Sequence, residues 1–320
     1  MKAAVIRQYG SPSNLSIESV ANPSPKANDV LIQVRAVSLN ASDAEMLQGK
    51  PAYIRMFGPF KPRYKVLGSD VAGEVIAVGS DVGEFEPGDK VMGDAFDTFG
   101  CLAEQVCVPA TRLIKMPEAL SFEQASSLPQ AGVVAYQGLH YHKPVQSGQN
   151  VLVVGAGGGS GSFAIQLAKA MGAQVTGVDR TNKIHWIQTQ GADHEIDFTR
   201  TDYCQSQHLY DFILDLVGHR PIADFDDILA PRGTYVMVGG TVPNLIRTLM
   251  FGRKLEKVHH RKTGILAHHQ NTDHLQMLTD QLAKGQLKNV IGQTFSFGQI
   301  SQAFDCLIRG ESLGKVIVTM

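Results

Sequence analysis

The clearest alternation of hydrophobic and polar positions lies near the middle of the chain. Val151–Gly155 is a short apolar, β-branched run, which is typical of a buried parallel strand. A glycine-rich stretch follows at once, and from Phe163 the apolar residues recur with helical spacing up to a glycine cap at Gly172. A second apolar run, Gln174–Val178, ends on Asp179. The pattern therefore predicts strand, turn, helix and strand within about 30 residues.

The turn between this strand and this helix has the composition of a diphosphate-binding loop. Its glycines let the backbone approach a pyrophosphate, and the helix N-terminus offers unpaired N–H groups and a partial positive charge. Asp179 follows Gly161 by 18 residues, where an acidic residue would hold an adenosine ribose. We predict dinucleotide binding, with an ordinary tight turn in an α/β protein as the alternative. The residues predicted to bind the cofactor here are Ala156, Gly158, Gly159, Ser160, Gly161 and Asp179.

The α/β alternation continues beyond Asp179. Six strands joined by crossovers predict a doubly wound parallel sheet, whose ligands lie at the carboxyl ends of the strands. Val217, Gly239 and Gly240 are therefore predicted to face the cofactor, with turn chemistry alone as the alternative for the glycines. The further strands are predicted at His194–Asp197, Phe212–Val217, Thr234–Val238 and Gly264–His268, and the helices at Thr181–Gln190 and Ile222–Leu229.

The first 120 residues have a different pattern, with short strand-like runs separated by clusters of turn residues. Many short strands without long helices between them predict an all-β, partly barrel-like unit, which we expect to supply the substrate side. Near the C-terminus, Asp273–Lys284 and Gln299–Arg309 have the spacing of amphipathic helices, and Val316–Thr319 that of a final strand.

Size and charge narrow the class of protein. A chain of 320 residues exceeds what one core usually supports, so two domains are expected. The formal net charge is −1 and the charges are interspersed, which argues against nucleic acid or an anionic membrane as partner. No secretory signal is visible, and no apolar run approaches the roughly 18 residues of a membrane span. The four cysteines include no C-x-x-C pair, so reduced thiols in a cytoplasmic protein are expected.

Several motifs together resemble those of the medium-chain dehydrogenase/reductase superfamily. They are VSLNASD at 37–43, LGSDVAGEV at 67–75, GDKVMG at 88–93 and PQAGVVAY at 129–136, with the glycine-rich turn behind them. The closest branch is that of the zinc-free quinone oxidoreductases and alkenal/enone reductases. The resemblance covers nearly the whole chain, and the motifs occur in the family's order.

The resemblance implies an α/β fold class with two domains. A GroES-like, partly barrel-shaped β domain would comprise residues 1–120 and 271–320, and a doubly wound Rossmann domain residues 121–270. The active site would lie in the cleft between them. It also implies a homodimer paired through an edge of the nucleotide sheet, for which Thr234–Val238 and Gly264–His268 are candidates.

The motifs also bear on zinc. Zinc alcohol dehydrogenases of the superfamily place a cysteine where Asn40 aligns and a histidine where Ser69 aligns. A catalytic zinc site needs about three protein ligands of cysteine, histidine or carboxylate type, and Asp70 cannot hold a metal alone. The superfamily's four-cysteine structural lobe is also missing. We therefore predict no metal and no zinc cofactor, which moves the expected chemistry from alcohol oxidation to reduction of a quinone or an activated double bond.

The predicted reaction is hydride transfer from a reduced nicotinamide to a small quinone or α,β-unsaturated carbonyl. The predicted catalytic residues are Asn40, which could donate a hydrogen bond to substrate or ribose, Ser42, which aligns with the proton-relay hydroxyl of alcohol dehydrogenases, and Tyr64. Tyr53 is a further candidate proton donor, and protonation by solvent is equally compatible. Alternative functions are a zinc-type alcohol dehydrogenase with an unrecognised metal site, or a non-catalytic nucleotide- or RNA-binding relative.

The choice between the two nicotinamide cofactors rests on opposing charges. Asp179 would repel a 2′-phosphate, which favours NADH, whereas Arg180, Thr181 and Lys183 could clamp that phosphate. The resembling reductases prefer NADPH. We favour NADPH on this ground, with NADH as the alternative, and count Arg180 and Lys183 among the cofactor-binding residues.

Overall fold

The computed structural model describes the backbone of residues 1–320 and all side chains except those of residue 57 and residues 253–259. The chain divides into two compact units. Unit 1 comprises Met1–Val133 and Gln270–Met320, and unit 2 comprises Val134–His269. Which unit carries the substrate and which the cofactor stays a prediction at this point.

Strands make up much of both units. In chain order they are β1 (Lys2–Ile6), β2 (Leu15–Ser19), β3 (Asp29–Leu39), β4 (Asp70–Val78), β5 (Lys90–Asp94), β6 (Gln105–Pro109), β7 (Leu113–Lys115), β8 (Asn150–Val154), β9 (Gln174–Asp179), β10 (His194–Asp197), β11 (Tyr210–Asp215), β12 (Leu229–Val238), β13 (Lys262–Leu266), β14 (Ile291–Ser296) and β15 (Lys315–Thr319).

Helices connect or cover these strands. In chain order they are α1 (Ala41–Gln48), α2 (Phe122–Ser126), α3 (Pro129–Leu139), α4 (Gly159–Ala170), α5 (Ile184–Thr189), α6 (Val242–His259), α7 (Thr272–Ala283) and α8 (Ile300–Ile308), with short 3-10 segments at Pro12–Asn14, Ala52–Phe57, Ala110–Arg112, Thr181–Lys183, Tyr203–Gln205, Ile222–Phe225 and Phe297–Gln299.

Unit 2 is built on a parallel sheet with the strand order β10-β9-β8-β11-β12-β13. Its central strands are apolar runs buried on both faces, as in β8, where the residues after Asn150 are all buried. The order reverses at β8, which pairs with β9 on one side and β11 on the other. Such a reversal opens a crevice at the carboxyl ends of the strands, where ligands of doubly wound sheets bind.

Unit 1 contains a mixed sheet with the order β14-β15-β3-β4-β5-β7, and β6 pairs with β3 as well. β1 and β2 form a separate antiparallel pair. The long strand β3 is the centre of this unit because it pairs along its length with β15, β4 and β6. One apolar core, which includes Ile32, Leu67 and Phe304, fills the interior. The predicted fold class, a partly barrel-shaped β domain with a doubly wound α/β domain, is confirmed.

Three local predictions are wrong. The stretch Ile222–Leu229 is not one helix: a 3-10 segment ends at Phe225, and Leu229 already begins β12. Thr234–Val238 cannot be a free edge for pairing between subunits, because β12 bonds to β11 on one side and β13 on the other. α4 begins at Gly159 rather than near Phe163, so the glycine-rich segment itself forms the first helical turn.

Two further observations concern the chain as a whole. Among the helices whose residues are described, none has the length and apolar content needed to cross a lipid bilayer. The four cysteines, all within the described part of the chain, form no disulfide.

Candidate active site

The glycine-rich turn joins β8 to α4 with very little space between strand and helix. The amides of Gly155 and Ala156 both donate to the carbonyl of Val178 on the neighbouring strand, and Gly155 has a positive φ of 83°. A Cβ on Gly161 would lie 2.2 Å from the Gly155 carbonyl oxygen. Only glycine therefore permits this approach of the helix start to the strand end.

The predicted phosphate-binding residues come together in this turn. Gly158 is the N-cap of α4, and no side chain caps the helix there. The amides of Gly159, Ser160 and Gly161 form the first helical turn, whose N–H groups have no partner within the helix. The Ser162 amide already bonds back to the Gly158 carbonyl. The turn thus presents backbone donors and the positive end of a helix dipole, which suits a diphosphate.

Asp179 ends β9 beside the same turn, and its side chain is buried. One carboxylate oxygen accepts a hydrogen bond from the Gly157 amide at 3.0 Å, and the other accepts one from the Arg180 amide at 2.9 Å. The Lys183 ammonium lies 3.9 Å from the Asp179 carboxylate, and both side chains are less than a tenth exposed. Arg180 is exposed. The Asp179 carboxylate and the Lys183 ammonium are thus close together at the end of β9, and Arg180 is the next residue of the chain.

The turns after β11 and β12 lie at the same edge of the sheet. The buried carboxylate of Asp215, the last residue of β11, accepts hydrogen bonds from the amides of Val217 and Gly218 and from the Tyr235 hydroxyl. Burial raises the pKa of this carboxyl, and the hydrogen bonds oppose that rise. A Cβ on Gly218 would lie 2.7 Å from the Gly240 Cα, so the two turns touch through their glycines.

These turns adjoin the glycine-rich turn. A Cβ on Gly155 would meet the Val217 side chain at 2.8 Å. Gly239 and Gly240 have positive φ angles of 69° and 120°, which glycine adopts without strain. All the predicted cofactor residues therefore lie around the carboxyl ends of β8, β9, β11 and β12. Their grouping is a property of the structure, and their role stays a prediction.

A second polar cluster lies in unit 1, at the start of α1. Asn40 is the N-cap of this helix, and its backbone amide donates to Asp43 in a capping box. The Asn40 Nδ2 group donates to Asp70 Oδ2 at 2.9 Å and to Ser69 Oγ at 3.3 Å. The Lys315 ammonium donates to Asn40 Oδ1 at 2.5 Å. The amide of Asn40 is thus engaged on both its oxygen and its nitrogen, and the residue is 6% exposed.

The other predicted catalytic side chains are placed separately. The Ser42 hydroxyl donates to Gln130 Oε1 at 3.2 Å, which joins α1 to the segment at α3. The Tyr64 hydroxyl donates to the Asp97 carbonyl, and its ring packs against Phe99 with centroids 4.9 Å apart. The predicted substrate-side residues share unit 1, but among the described side chains no hydrogen bond joins Tyr64 to the cluster at Asn40.

Sequence reasoning missed three titratable residues that the fold places here: Lys315, Glu45 and Asp215. Lys315 begins the final strand and is 3% exposed. It could have been noticed as a charged residue at the start of an apolar run. Asp215 ends an apolar strand, as Asp179 does, and Gly218 follows it three residues later. Glu45 lies on α1, three residues after Ser42, and nothing in its local pattern separates it from a solvent-facing carboxylate.

Glu45 gives a stability prediction that depends on pH. Burial raises the pKa of this half-buried carboxyl to about 7, and none of the described side chains bonds to it. A carboxyl with a raised pKa in the folded state contributes stability that is present below its unfolded pKa and is lost as pH rises through the folded value. Between pH 5 and pH 8 the protein should therefore lose about 1–3 kcal/mol of unfolding free energy through this group.

Urea unfolding of the wild type and of Glu45→Gln at these two pH values measures this loss. Between pH 5 and pH 8, the unfolding free energy of Glu45→Gln should fall less than that of the wild type. Glu311→Gln, a change at an exposed carboxylate, is the matched control and should follow the wild type. An equal pH response in all three proteins would contradict a raised pKa at Glu45.

The parallel sheet of unit 2 has the strand order and the glycine-rich turn of a dinucleotide-binding domain, which is typical of dehydrogenases. Comparison with known proteins agrees with this class. The family model described as "Alcohol dehydrogenase GroES-like domain" matches residues 26–118, and that described as "Zinc-binding dehydrogenase" matches residues 190–318.

Individual relatives match over nearly the whole chain. The chain is 33% identical to a 2-methylene-furan-3-one reductase of Solanum lycopersicum, over 99% of this chain and 79% of that protein. It is 31% identical to a chloroplastic NADPH-dependent alkenal/one oxidoreductase of Arabidopsis thaliana, with the same coverage of both chains. The solved structure of a quinone oxidoreductase from Coxiella burnetii superposes with a TM-score of 0.88 and 32% identity, covering 100% of this chain and 99% of the other.

The chain therefore belongs to the quinone oxidoreductase and alkenal/enone reductase branch of the medium-chain dehydrogenase/reductase superfamily. The resemblance stated from the sequence is confirmed, and so is the class of oxidoreductase.

One of the matching family descriptions names zinc, which requires about three protein ligands of cysteine, histidine or carboxylate type. Positions 40 and 69 provide an amide and a hydroxyl, which hold zinc poorly, and Asp70 is the single carboxylate among them. The Asn40 oxygen and an Asp70 oxygen are the two atoms best able to ligate a metal, and each already accepts a hydrogen bond from the Lys315 ammonium. Among the described side chains, no three His, Cys, Asp or Glu residues are grouped so as to hold a metal ion. These residues do not fit a zinc site.

Proposed function

We propose that this protein transfers hydride from a reduced nicotinamide dinucleotide to a quinone or to the β-carbon of an α,β-unsaturated carbonyl compound, without zinc. The observation that carries the proposal is the turn at Gly155–Gly161, in which the amides of Gly159–Gly161 form the first turn of α4 beside the buried carboxylate of Asp179. The names of the relatives, an alkenal/one oxidoreductase and a quinone oxidoreductase among them, support the substrate class.

In this proposal the nicotinamide supplies the hydride, and the chain's own residues bind and orient. The amides of Gly159–Gly161 would hold the diphosphate. Asp179 would accept hydrogen bonds from ribose hydroxyls, and Arg180 and Lys183 would lie near the same ribose. The backbone at Val217, Gly239 and Gly240, shaped by the Asp215 hydrogen bonds, would lie against the nicotinamide half.

On the substrate side we propose Asn40, Ser42 and Tyr64 as the catalytic residues. Asn40 would act from a fixed orientation, since its amide is bonded to Asp70 and Lys315. A substrate oxygen would have to replace its longer hydrogen bond, the one to Ser69. Ser42 and Tyr64 each carry a hydroxyl whose present acceptor is a neutral oxygen, so either proton could be given to a developing enolate instead.

The test of this proposal is oxidation of NADPH and of NADH by the purified protein with a panel of quinones and 2-alkenals. We expect turnover with at least one member of the panel, in metal-free buffer with a chelator present. Intact nucleotide binding without turnover would favour a non-catalytic nucleotide-binding protein. Activity that appears only with added zinc and an alcohol or aldehyde would favour an alcohol dehydrogenase.

We further propose NADPH as the preferred cofactor, with the Asp179 carboxylate reducing that preference. Replacing Asp179 by Ser should raise the ratio of kcat/KM for NADPH to that for NADH by about tenfold, because one unit charge near a phosphate is worth roughly 1–4 kcal/mol at such distances. The measurement is steady-state kinetics with both nucleotides. Two residues support the choice of NADPH: the Lys183 ammonium lies 3.9 Å from the Asp179 carboxylate, and the exposed Arg180 follows Asp179 in the chain, so a 2′-phosphate near Asp179 would have positive charge nearby.

Asp179→Asn is the matched variant for this prediction. It removes the charge but keeps an acceptor for the Gly157 amide. Equal changes of the ratio in the Asn and Ser variants would assign the effect to charge. A ratio that stays the same in both would show that Asp179 has no part in selectivity.

We also propose a homodimer and a cytoplasmic location. β13 pairs with β12 and is the outer strand of its sheet, and Ile246, Leu249 and Met250 on the adjacent α6 are each more than half exposed. An unpaired edge beside apolar side chains favours pairing with a second copy. Sedimentation velocity would give the mass, and a monomer at micromolar concentration would refute the dimer.

The proposed cytoplasmic location is supported by the four cysteines, which form no disulfide, as is usual in a reducing compartment. Cell fractionation would test this location.

A further inference from the structure

A buried ion pair lies against the Asn40 side chain in unit 1. The Lys315 ammonium and the Asp70 carboxylate are 3.3 Å apart, and both side chains are almost completely buried. The ammonium also donates to Asn40 Oδ1 at 2.5 Å and to the Leu39 carbonyl at 3.1 Å. Asp70 Oδ2 in turn accepts a hydrogen bond from Asn40 Nδ2 at 2.9 Å. The two ends of one amide are therefore bonded to the two partners of one ion pair.

The sheet of unit 1 fixes both charged groups. β15 begins at Lys315 and runs antiparallel to β3, which ends just before Asn40, and β3 runs antiparallel to β4, which begins at Asp70. The Asp70 carboxylate is held further by the Ser38 hydroxyl at 2.8 Å and the Gln130 amide at 3.1 Å. The strand register therefore determines where the two charges lie, although Lys315 is far from the others in sequence.

The two charges select one of the two orientations of the Asn40 amide. An ammonium group can only donate hydrogen bonds, and a carboxylate can only accept them. With the amide turned over, Nδ2 would face the ammonium and Oδ1 the carboxylate, so neither pair could form a hydrogen bond. Lost hydrogen bonds to charged groups are costly in a buried site. The ion pair therefore directs Nδ2 toward Asp70 and Ser69.

The Lys315 charge is also needed to keep Asp70 an acceptor. Burial raises the pKa of Asp70, and the Lys315 charge opposes that rise. The carboxyl of Asp94, which is 5% exposed, acts in the same direction as burial. Without Lys315 the Asp70 carboxyl would take up a proton more readily, and a protonated carboxyl can donate as well as accept. Asp70 alone would then no longer select the amide orientation, so both partners of the ion pair are required.

We propose that Lys315 is a positioning residue, which together with Asp70 makes Asn40 a hydrogen-bond donor to the substrate oxygen. This inference rests on the proposed function, in which Asn40 faces the substrate. One Nδ2 hydrogen of Asn40 is held by Asp70, and the other makes the longer bond, 3.3 Å, to the Ser69 hydroxyl. The second hydrogen is the one that a substrate can take. It would bind the carbonyl oxygen of an enone and stabilise the charge that forms there, as hydride adds to the β-carbon and the displaced π electrons move to the oxygen.

A mutant cycle on the full-length protein tests whether Lys315 acts through Asn40. The variants are Lys315→Met, Lys315→Arg, Asn40→Ala and the double variant Lys315→Met/Asn40→Ala, and the matched control is Lys284→Met, at an exposed lysine of the same unit. We expect kcat with a 2-alkenal to fall on the order of 100-fold in Lys315→Met, as when one donor to a developing oxyanion is lost. The KM for NADPH should change less than about twofold, because the nucleotide is bound elsewhere.

The two other comparisons of the cycle separate positioning from packing. Lys315→Arg keeps the positive charge, so its kcat should stay within about tenfold of the wild-type value. In the Asn40→Ala background, Lys315→Met should lower kcat by less than about threefold, because a residue that acts through another has little effect once the other is gone. Lys284→Met should have the kcat of the wild type.

A spectroscopic measurement follows the Asn40 amide without turnover. Its side-chain resonances are assigned in nitrogen–proton NMR spectra by their loss in Asn40→Ala. They should stay close to their wild-type positions in Lys315→Arg and Lys284→Met, and move in Lys315→Met. Circular dichroism and thermal unfolding verify the fold. If Lys315→Met does not fold, Lys315→Met/Asp70→Asn, which removes both charges, replaces it with the same expected results.

Three results would overturn the proposal. They are unchanged Asn40 resonances in Lys315→Met, a loss of kcat as large in the Asn40→Ala background as in the wild type, and equal losses of kcat in folded Lys315→Arg and Lys315→Met. If the wild type oxidises NADPH with none of the quinones and enones, the proposed function fails, and the Asn40 resonances alone decide whether Lys315 holds the amide.

Discussion

Replacing Gly161 by Ala is expected to lower kcat/KM for NADPH on the order of 100-fold and to cost about 3 kcal/mol of unfolding free energy, the upper part of the range for overpacking. The added Cβ would lie 2.2 Å from the Gly155 carbonyl oxygen and 2.6 Å from the Ala156 Cα. These are backbone atoms of the turn itself and cannot rotate away. The helix start must therefore move from the strand end, and the donors of the anion site move with it. Urea unfolding and steady-state kinetics measure the two losses.

Gly158→Ala in the same turn is the matched control. Its nearest neighbour would be the Gly155 carbonyl oxygen at 3.5 Å, an ordinary contact, and Gly158 has a φ of −86° that alanine adopts readily. We expect nearly unchanged stability in this variant. If Gly161→Ala folded and bound NADPH as well as Gly158→Ala, the close packing of α4 on β8 would not determine the site.

Replacing Asp215 by Ala is expected to destabilise the protein by about 3 kcal/mol or more, because each buried donor left without a partner costs roughly 1–3 kcal/mol. The carboxylate accepts from the amides of Val217 and Gly218 at 3.0 and 2.9 Å and from the Tyr235 hydroxyl at 2.9 Å. The alanine would leave all three donors unsatisfied. The turn at Gly218 should then lose its shape, and affinity for the nicotinamide nucleotide should fall with it.

Two smaller changes separate the parts of this network. Asp215→Asn keeps an oxygen for the two amides, and Tyr235→Phe removes only the hydroxyl, so each should cost about 1 kcal/mol. Nucleotide affinity, measured by quenching of Trp186 fluorescence or by calorimetry, should fall strongly only in Asp215→Ala. If Tyr235→Phe lost as much nucleotide affinity as Asp215→Ala, the loss would come from general core stability and not from the turn at Gly218.

Much of unit 2 could be predicted from the chain because its signals are local. The buried strands are runs of β-branched residues, and the glycine-rich turn joins one such run to a helix without a spacer. The six predicted strands are present, and their order in the structure is that of doubly wound dinucleotide-binding sheets. The helix at Val242–His259 was missed although its signals are present: Thr241 caps it, Pro243 lies in the first turn, and apolar residues recur at helical spacing.

The substrate-side cluster could be predicted only in part. Asn40, Ser69 and Asp70 lie in motifs, so the sequence points to them. Lys315 joins them through strand pairing across about 275 positions, and no local pattern reports such a register. The raised pKa of Glu45 is caused by its burial in the fold, which its local sequence pattern does not show. The predicted helix at Ile222–Leu229 is wrong because its last residue, Leu229, is the first residue of β12 and pairs with Tyr210 of β11.

The two clusters differ in the groups that they present. Unit 2 presents backbone donors and the start of a helix, which in the proposed function would hold a diphosphate. Unit 1 presents hydrogen-bonded polar groups around the Asp70–Lys315 ion pair, with the carboxyl of Asp94 close by.

The most direct measurement of the central claim is the transfer of deuterium from NADPH labelled at C4 of the nicotinamide to an enone substrate. Both C4-deuterated diastereomers are supplied in separate reactions, and the product is analysed by mass spectrometry and NMR. We expect one deuterium at the β-carbon of the product from one diastereomer and none from the other. Product without deuterium from either diastereomer, or oxidised cofactor without any reduced product, would contradict it.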